Sequence, residues 1–144
     1  MMLAPKILVV DDSWTDLTLI ATPLREGGFD VITAVDGDEA LEKVISERPQ
    51  CVLLDVVLPK QNGFQVCRKL KEDPSTAEIP VIMVTARDDL DARAEGMRLG
   101  VSDFLAKPVF RRQLANRIRA QLDMVATARA NDATLHQLQG NSKK

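Results

Sequence analysis

The segment Ile7-Leu8-Val9-Val10-Asp11-Asp12-Ser13 decides the fold. Four apolar residues, three of them β-branched, run without alternation and stop at two acids. A strand covered on one face alternates apolar with polar residues, and a strand covered on both faces does not. The segment therefore reads as a strand buried on both sides whose carboxyl end delivers charge.

The same grammar recurs along the chain. Val31-Ile32-Thr33-Ala34 is a second strand. Cys51-Val52-Leu53-Leu54 is a third and ends in Asp55. Val81-Ile82-Met83-Val84 is a fourth and ends in Thr85. Asp103-Phe104-Leu105-Ala106 is a fifth and ends in Lys107. Between them the apolar residues recur at helical spacing: Leu17, Ile20, Ala21 and Leu24; Ala40, Leu41, Val44 and Ile45; Phe64, Cys67 and Leu70; Leu90, Ala94 and Met97. Gly27-Gly28, Pro49, Pro74 and Gly100 fall where these helices should stop. Pro23 lies inside the first helix, which predicts a kink there or a late start. Strands alternating with helices predict a doubly wound α/β fold with a five-stranded parallel sheet covered on both faces. The flavodoxin-like strand order 2-1-3-4-5 suits five strands and five helices, with a crevice beyond the carboxyl ends of strands one and three.

Composition bounds the function. The chain has 144 residues, enough for one core, with 45% hydrophobic and 28% charged residues and a net charge of −2. No basic surface is large enough to suggest direct nucleic-acid binding, and 3% aromatics with no Tyr give no stacking platform. No apolar run approaches the roughly 20 residues that span a bilayer, and the start of the chain does not resemble a secretion signal. Cys51 and Cys67 sit in apolar patterns, as buried reduced thiols of a cytoplasmic protein would. His136 alone makes no metal site and reads as a solvated helix residue.

The chemistry lies at the strand ends. Asp11 and Asp12 from the first strand, Asp55 from the third, Thr85 from the fourth and Lys107 from the fifth should leave the same edge of the sheet, where open α/β sheets place their sites. Three converging carboxylates repel one another, so a positive partner is required. A hard, oxygen-loving cation and the Lys107 ammonium both answer. Asp12 and Ser13 could also cap the first helix, but capping does not account for Asp55, Thr85 and Lys107.

The runs ILVVDDS, LLDVVLPKQNGF, VIMVTAR and DFLAKP, in this order, resemble the motifs of response-regulator receiver domains over roughly residues 5–125. The resemblance implies residue roles. Asp55 is the phosphoacceptor. Asp11 and Asp12 hold Mg²⁺ (Mn²⁺ an acceptable substitute), Asp12 directly and Asp11 through water, with Asp55 and the backbone carbonyl of Val57 as further metal ligands. Thr85 is the switch hydroxyl, Lys107 pairs with the phosphoryl group, and Phe104 is the aromatic switch. The Lys107-Pro108 bond is cis. Val57 and Arg87 occupy the positions that tune phosphoryl lifetime. Val57 has no side-chain group to position a water, and Arg87 could screen the site or pair with the phosphoryl group, so a lifetime of minutes or longer is expected. Phosphoryl transfer needs positioning and charge neutralisation, which a metal and a lysine supply. Movement of Thr85 toward the phosphoryl oxygens would let Phe104 turn inward. That turn would bias the surface of the fourth helix, fifth strand and fifth helix. Gly63 reads as a structural loop-to-helix turn.

These implications set expectations for partners. The donor is a histidine kinase or phosphotransfer protein docking near the first helix. Residues 1–125 form the receiver domain and residues 126–144 a helical extension or linker. Leu114, Ile118, Leu122 and Val125 make the core face of the last helix. Met124, Ala128, Asn131, Leu135 and Leu138 continue as a weak heptad. That leaves a solvated extension ending near Gly140, a homodimerisation helix, or a linker to an output domain as open readings. The segment GFQVCRKLKEDP with a long last helix resembles receivers that precede diguanylate cyclase domains, but no GGDEF-like motif is present. Nor do the residues after 125 suffice for a helix-turn-helix. Other classes fit less well. An aspartyl-phosphate phosphatase would carry a second acid two positions after its nucleophile, where Val57 stands. A receiver that works without phosphorylation would lack an acid or the lysine. A flavin carrier would show a Ser/Thr-rich phosphate loop. The expected class is a switch rather than a turnover enzyme.

Overall fold

The computed structural model describes residues 4–87 and 89–142, with side chains through residue 132. In chain order the elements are β1 (Lys6–Val10), α1 (Trp14–Glu26), β2 (Asp30–Ala34), α2 (Gly37–Glu47), β3 (Cys51–Leu54), α3 (Gly63–Glu72), β4 (Val81–Thr85), α4 (Leu90–Leu99), β5 (Asp103–Ala106) and α5 (Arg111–Ser142). The strands form one sheet in the order β2-β1-β3-β4-β5, and every pair is parallel.

Side chains along a strand alternate between faces, and here both faces are apolar. Ile7 and Val9 of β1, Cys51 and Leu53 of β3, and Ile82 and Val84 of β4 join Leu17, Ile20 and Leu24 of α1 and Leu114 and Ile118 of α5. Leu8 and Val10, Val52 and Leu54, and Val81 and Met83 join Ala40 and Val44 of α2, Val66, Cys67 and Leu70 of α3 and Ala92 of α4. The unbroken apolar runs are thus two interleaved half-strands, one for each layer of helices. The two thiols lie in different layers, both buried and free.

Local signals explain the helix ends. Ser13 caps α1 by accepting from the Asp16 N–H, Asp36 caps α2, and Asp89 caps α4. Asn62 and Gln65 form a reciprocal capping box at α3. Gly100 closes α4 at φ 92°, a left-handed conformation that glycine adopts without penalty.

Three sequence expectations change. Helix α1 starts at Trp14 and continues past Pro23 to Glu26, so the late start is not found. Ile45 of α2 is exposed. On α4 the expected face of Leu90, Ala94 and Met97 is not the buried one: Leu90 is 87% and Met97 71% exposed, Ala94 is also exposed, and Ala92 and Gly96 are buried. The reason is proximity. A Cβ on Gly96 would stand 3.1 Å from Val101 Cγ2 and 3.4 Å from Phe104 Cδ2, so only small residues fit between α4 and β5. Helix α5 is continuous from Arg111 to Ser142, with Leu114 and Ile118 buried and Leu122 and Val125 half-buried. Met124, Ala128 and Asn131 are exposed. The helix runs through Gly140, so the end expected there is not found; the side chains of Leu135, His136 and Leu138 lie outside the described residues.

Candidate functional site at the carboxyl edge of the sheet

Strand alternation places the polar strand ends. Asp11 continues the Ile7–Val9 face of β1, and Asp55 continues the Cys51–Leu53 face of β3. Lys107 continues the face of Leu105, so all three emerge on the α1/α5 side. The parallel register that pairs Val9 with Leu53 and Val10 with Leu54 brings Asp11 and Asp55 next in line. Backbone bonds carry the strands into the loops: Asp11 N–H donates to Ala34 O and Asp55 N–H to Val10 O. Lys107 N–H donates to Thr85 O, which anchors the end of β5.

The three side chains meet. Lys107 Nζ lies 2.6 Å from Asp11 Oδ2 and 2.8 Å from Asp55 Oδ2. It also lies 2.9 Å from Oδ2 of Asp16, in the first turn of α1. The remaining oxygens are held as well: Asp11 Oδ1 accepts from Ser13 N–H at 3.0 Å, and Asp55 Oδ1 from Val57 N–H at 3.2 Å. Asp12 is exposed at the rim. A cleft of about 320 Å³, lined by Asp16, Ile20, Ala86, Lys107 and Pro108 among others, opens beside the ammonium. The Lys107–Pro108 peptide bond is cis.

Electrostatics follow from burial. Asp11 is the most enclosed of the carboxylates bonded to Lys107, its side chain 2% exposed against 9% for Asp55. Burial raises its pKa, and the bonds from Lys107 and Ser13 offset only part of that. Burial also pulls the Lys107 pKa down. Its bonds to Asp11, Asp55 and Asp16 outweigh that and hold it above its ordinary value. Lys107 is therefore a fixed positive charge throughout the neutral range.

Thr85 reaches the same edge on the other face, in line with Val81 and Met83. It is buried, and its Oγ1 accepts from Arg87 N–H at 3.1 Å. The Arg87 guanidinium pairs with Asp89 Oδ2 at 3.4 Å and lies over the Phe64 ring at 5.9 Å. Phe104 is only 7% exposed, under the Arg93 guanidinium at 5.0 Å. The expectation that it turns inward presupposes an outward ring, and here the ring is already buried. Val57 is exposed beside the site.

The donor set suits a hard cation. The oxygens gathered at Lys107 are the carboxylates of Asp11, Asp16 and Asp55, and Mg²⁺ takes such hard donors, keeps several waters and asks for only a few protein ligands. Among the described residues no group of three or more acids, histidines or cysteines is arranged to hold a metal by itself. An ion held by these carboxylates would complete its shell with water. Asp16 was not singled out in the sequence. Its signal was its place in the first turn of α1, which begins four residues after the end of β1.

A five-stranded 2-1-3-4-5 sheet with an acid pocket and a lysine at its carboxyl edge defines the receiver class of signalling domain. The chain belongs to the response regulator receiver domain family, which it matches over residues 7–119. It is 42% identical over 118 residues to the response regulator PleD of Caulobacter vibrioides, a match covering 82% of this chain and 26% of PleD. It is also 42% identical over 117 residues to the alkaline phosphatase synthesis transcriptional regulatory protein PhoP of Bacillus subtilis, covering 81% of this chain and 48% of PhoP. A CheY-like response regulator receiver domain from Methanospirillum hungatei superposes with a TM-score of 0.82 at 27% identity, over 87% of this chain and 98% of that one. The chain thus spans a quarter to a half of these curated relatives. Among the described residues, no helix is long and apolar enough to cross a membrane.

Proposed function

We propose that this chain is a phosphorylation switch in which Asp55 accepts a phosphoryl group from a histidine kinase or phosphotransfer protein. The observation that carries the reading is the Lys107 ammonium bonded at once to Asp11 and Asp55 in a pocket at the carboxyl edge of the sheet. Asp55 is a carboxylate nucleophile placed beside a fixed positive charge, the arrangement that an incoming anionic phosphoryl group requires. Asp11 and Asp12, with Asp55 and the Val57 carbonyl, would hold Mg²⁺. When bound, the ion supplies charge neutralisation and alignment. Lys107 then pairs with one phosphoryl oxygen and Thr85 donates to another. The bound phosphoryl group adds negative charge, and Thr85 gives up its bond to Arg87 N–H to meet it. That relays the change to the β4–α4 loop and to α4, whose exposed Leu90 and Met97 are available to a partner. Residues 1–125 are the switch. Residues 126–144 are a helical extension that links to an output domain or pairs with a second copy.

The test is intact-mass measurement after incubation with acetyl phosphate and Mg²⁺. One phosphoryl group should be gained with Mg²⁺, and none when EDTA replaces the metal or in Asp55→Ala. A gain that persists in Asp55→Ala, or no gain in the wild type, would move the assignment to a receiver that works without phosphorylation.

A further inference from the structure

Lys107 donates to three carboxylates, and only two of them stand at strand ends. The third, Asp16, comes from α1. An ammonium has three N–H donors, so all of them are engaged before any phosphoryl group arrives. A phosphoryl group on Asp55 needs one of them back. Asp11 is poorly placed to yield, because its side chain is 2% exposed and its other oxygen is tied to Ser13 N–H. Asp55 is the acceptor itself. Asp16 is 40% exposed, so water can replace the ammonium at its carboxylate without leaving a buried charge unpaired.

We infer that Asp16 is a positioning residue for phosphoryl transfer: it parks the third donor of Lys107 in the unmodified protein and yields it to the phosphoryl oxygen. The inference rests on Asp55 as the phosphoacceptor. Two opposite consequences follow from its charge. Asp16 adds a negative charge close to Asp11 and Asp55, which favours a divalent cation there. It also competes with the phosphoryl group for Lys107 and repels an anionic donor. Replacing it with asparagine should therefore weaken metal binding and speed transfer.

Asp16→Asn suits the test because the Ser13 cap is made to the backbone N–H of residue 16, which the substitution keeps. Mg²⁺ affinity is read by titration calorimetry with the metal alone. The transfer rate is read by intact mass with acetyl phosphate at saturating Mg²⁺. Relative to wild type, the Mg²⁺ Kd should rise about threefold and the transfer rate should rise about threefold, the size expected for one partly screened charge at this range. A residue that merely supports the local structure would move both properties toward loss. An unchanged Mg²⁺ affinity, or an unchanged or slower transfer, overturns the inference. The wild type run in parallel separates the two readings: if it takes no phosphoryl group, the assignment of Asp55 fails first.

Discussion

Lys107 Nζ lies 2.8 Å from Asp55 Oδ2 although 52 residues separate them in the chain. The contact exists because β3 and β5 end at the same edge and the residue that follows each strand continues the same face, that of Leu53 and Leu105. One ammonium offsets two carboxylates that are almost fully enclosed, those of Asp55 and Asp11. The lysine therefore bears on the fold at this edge, where the two carboxylates would otherwise face each other without a counter-charge.

Lys107→Met tests the structural half of that statement. Methionine fills similar volume but leaves Asp11 and Asp55 facing each other without a counter-charge. Unfolding free energy at pH 7 should fall by about 3 kcal/mol, as for other buried pairs that lose one partner. In the wild type the Lys107 pKa is held above its ordinary value, so its contribution is complete below that ordinary value and fades only in strong base. The variant should regain stability on acidification, when a carboxylate takes up a proton, and on addition of Mg²⁺. Urea unfolding at pH 7 and pH 5, with and without Mg²⁺, reads all three. Equal stability of the two proteins at pH 7 would show that the carboxylates do not depend on the lysine.

Gly63→Ala probes the loop that carries Asp55. A Cβ at this position would stand 2.2 Å from the Asp55 carbonyl oxygen and 2.8 Å from Val56 Cα. Both obstacles are backbone, so no side chain can rotate away. Stability should drop by about 2 kcal/mol or more, and the Gly63 N–H bond to Val56 O at 2.8 Å would be strained with it. Thermal melting together with acetyl phosphate labelling would show both effects. A variant that melts like the wild type would mean that the loop has slack.

These two sites mark what the sequence made legible. Asp11, Asp55, Thr85 and Lys107 could be read because each interrupts an apolar run, and the period of a buried strand fixes which edge it reaches. The strand order followed from the element count and the handedness of crossovers. Gly63 was read as a turn residue, but the reason for it, the close approach of Asp55 O, is a tertiary distance with no local signature. Helix α4 was misread because helical periodicity assumes that the large apolar residues face inward. There the space beneath the helix is taken by Val101 and Phe104, and only Ala92 and Gly96 fit. Asp16 was hidden for the opposite reason: an acid in a first helical turn is expected on dipole grounds alone.

Thr85→Val separates acceptance of the phosphoryl group from the response to it. The substitution keeps shape and removes the oxygen that accepts from Arg87 N–H at 3.1 Å. Stability should fall by about 1 kcal/mol for the unpaired donor. Phosphorylation of Asp55 should be reduced but still detectable by intact mass, because the Lys107 contacts remain. The amide chemical-shift changes that phosphorylation produces in α4 should largely disappear. If they persist in the variant at full size, the signal reaches α4 by a route that bypasses this hydroxyl.

Cys51 gives the chain a predictable response to base. Burial pushes its thiol pKa up to about 12, and burial raises that of Cys67 as well. Below about pH 9 the thiols are protonated in both the folded and the unfolded chain and contribute nothing to pH dependence. Above it the unfolded chain releases protons that the folded chain retains, so the folded state binds more protons and stability falls as pH rises. The chain has no tyrosine, so no phenol obscures this window. Urea unfolding at intervals from pH 8 to pH 10.5 should show a downward slope that is shallower in Cys51→Ala, whatever the cost of that substitution at neutral pH. Because the thiolate is the reactive form, neither cysteine should react with a thiol reagent at pH 8 until denaturant is added. Rapid labelling of the native protein, or identical alkaline slopes in the two proteins, would show that the sheet does not shield Cys51 in solution.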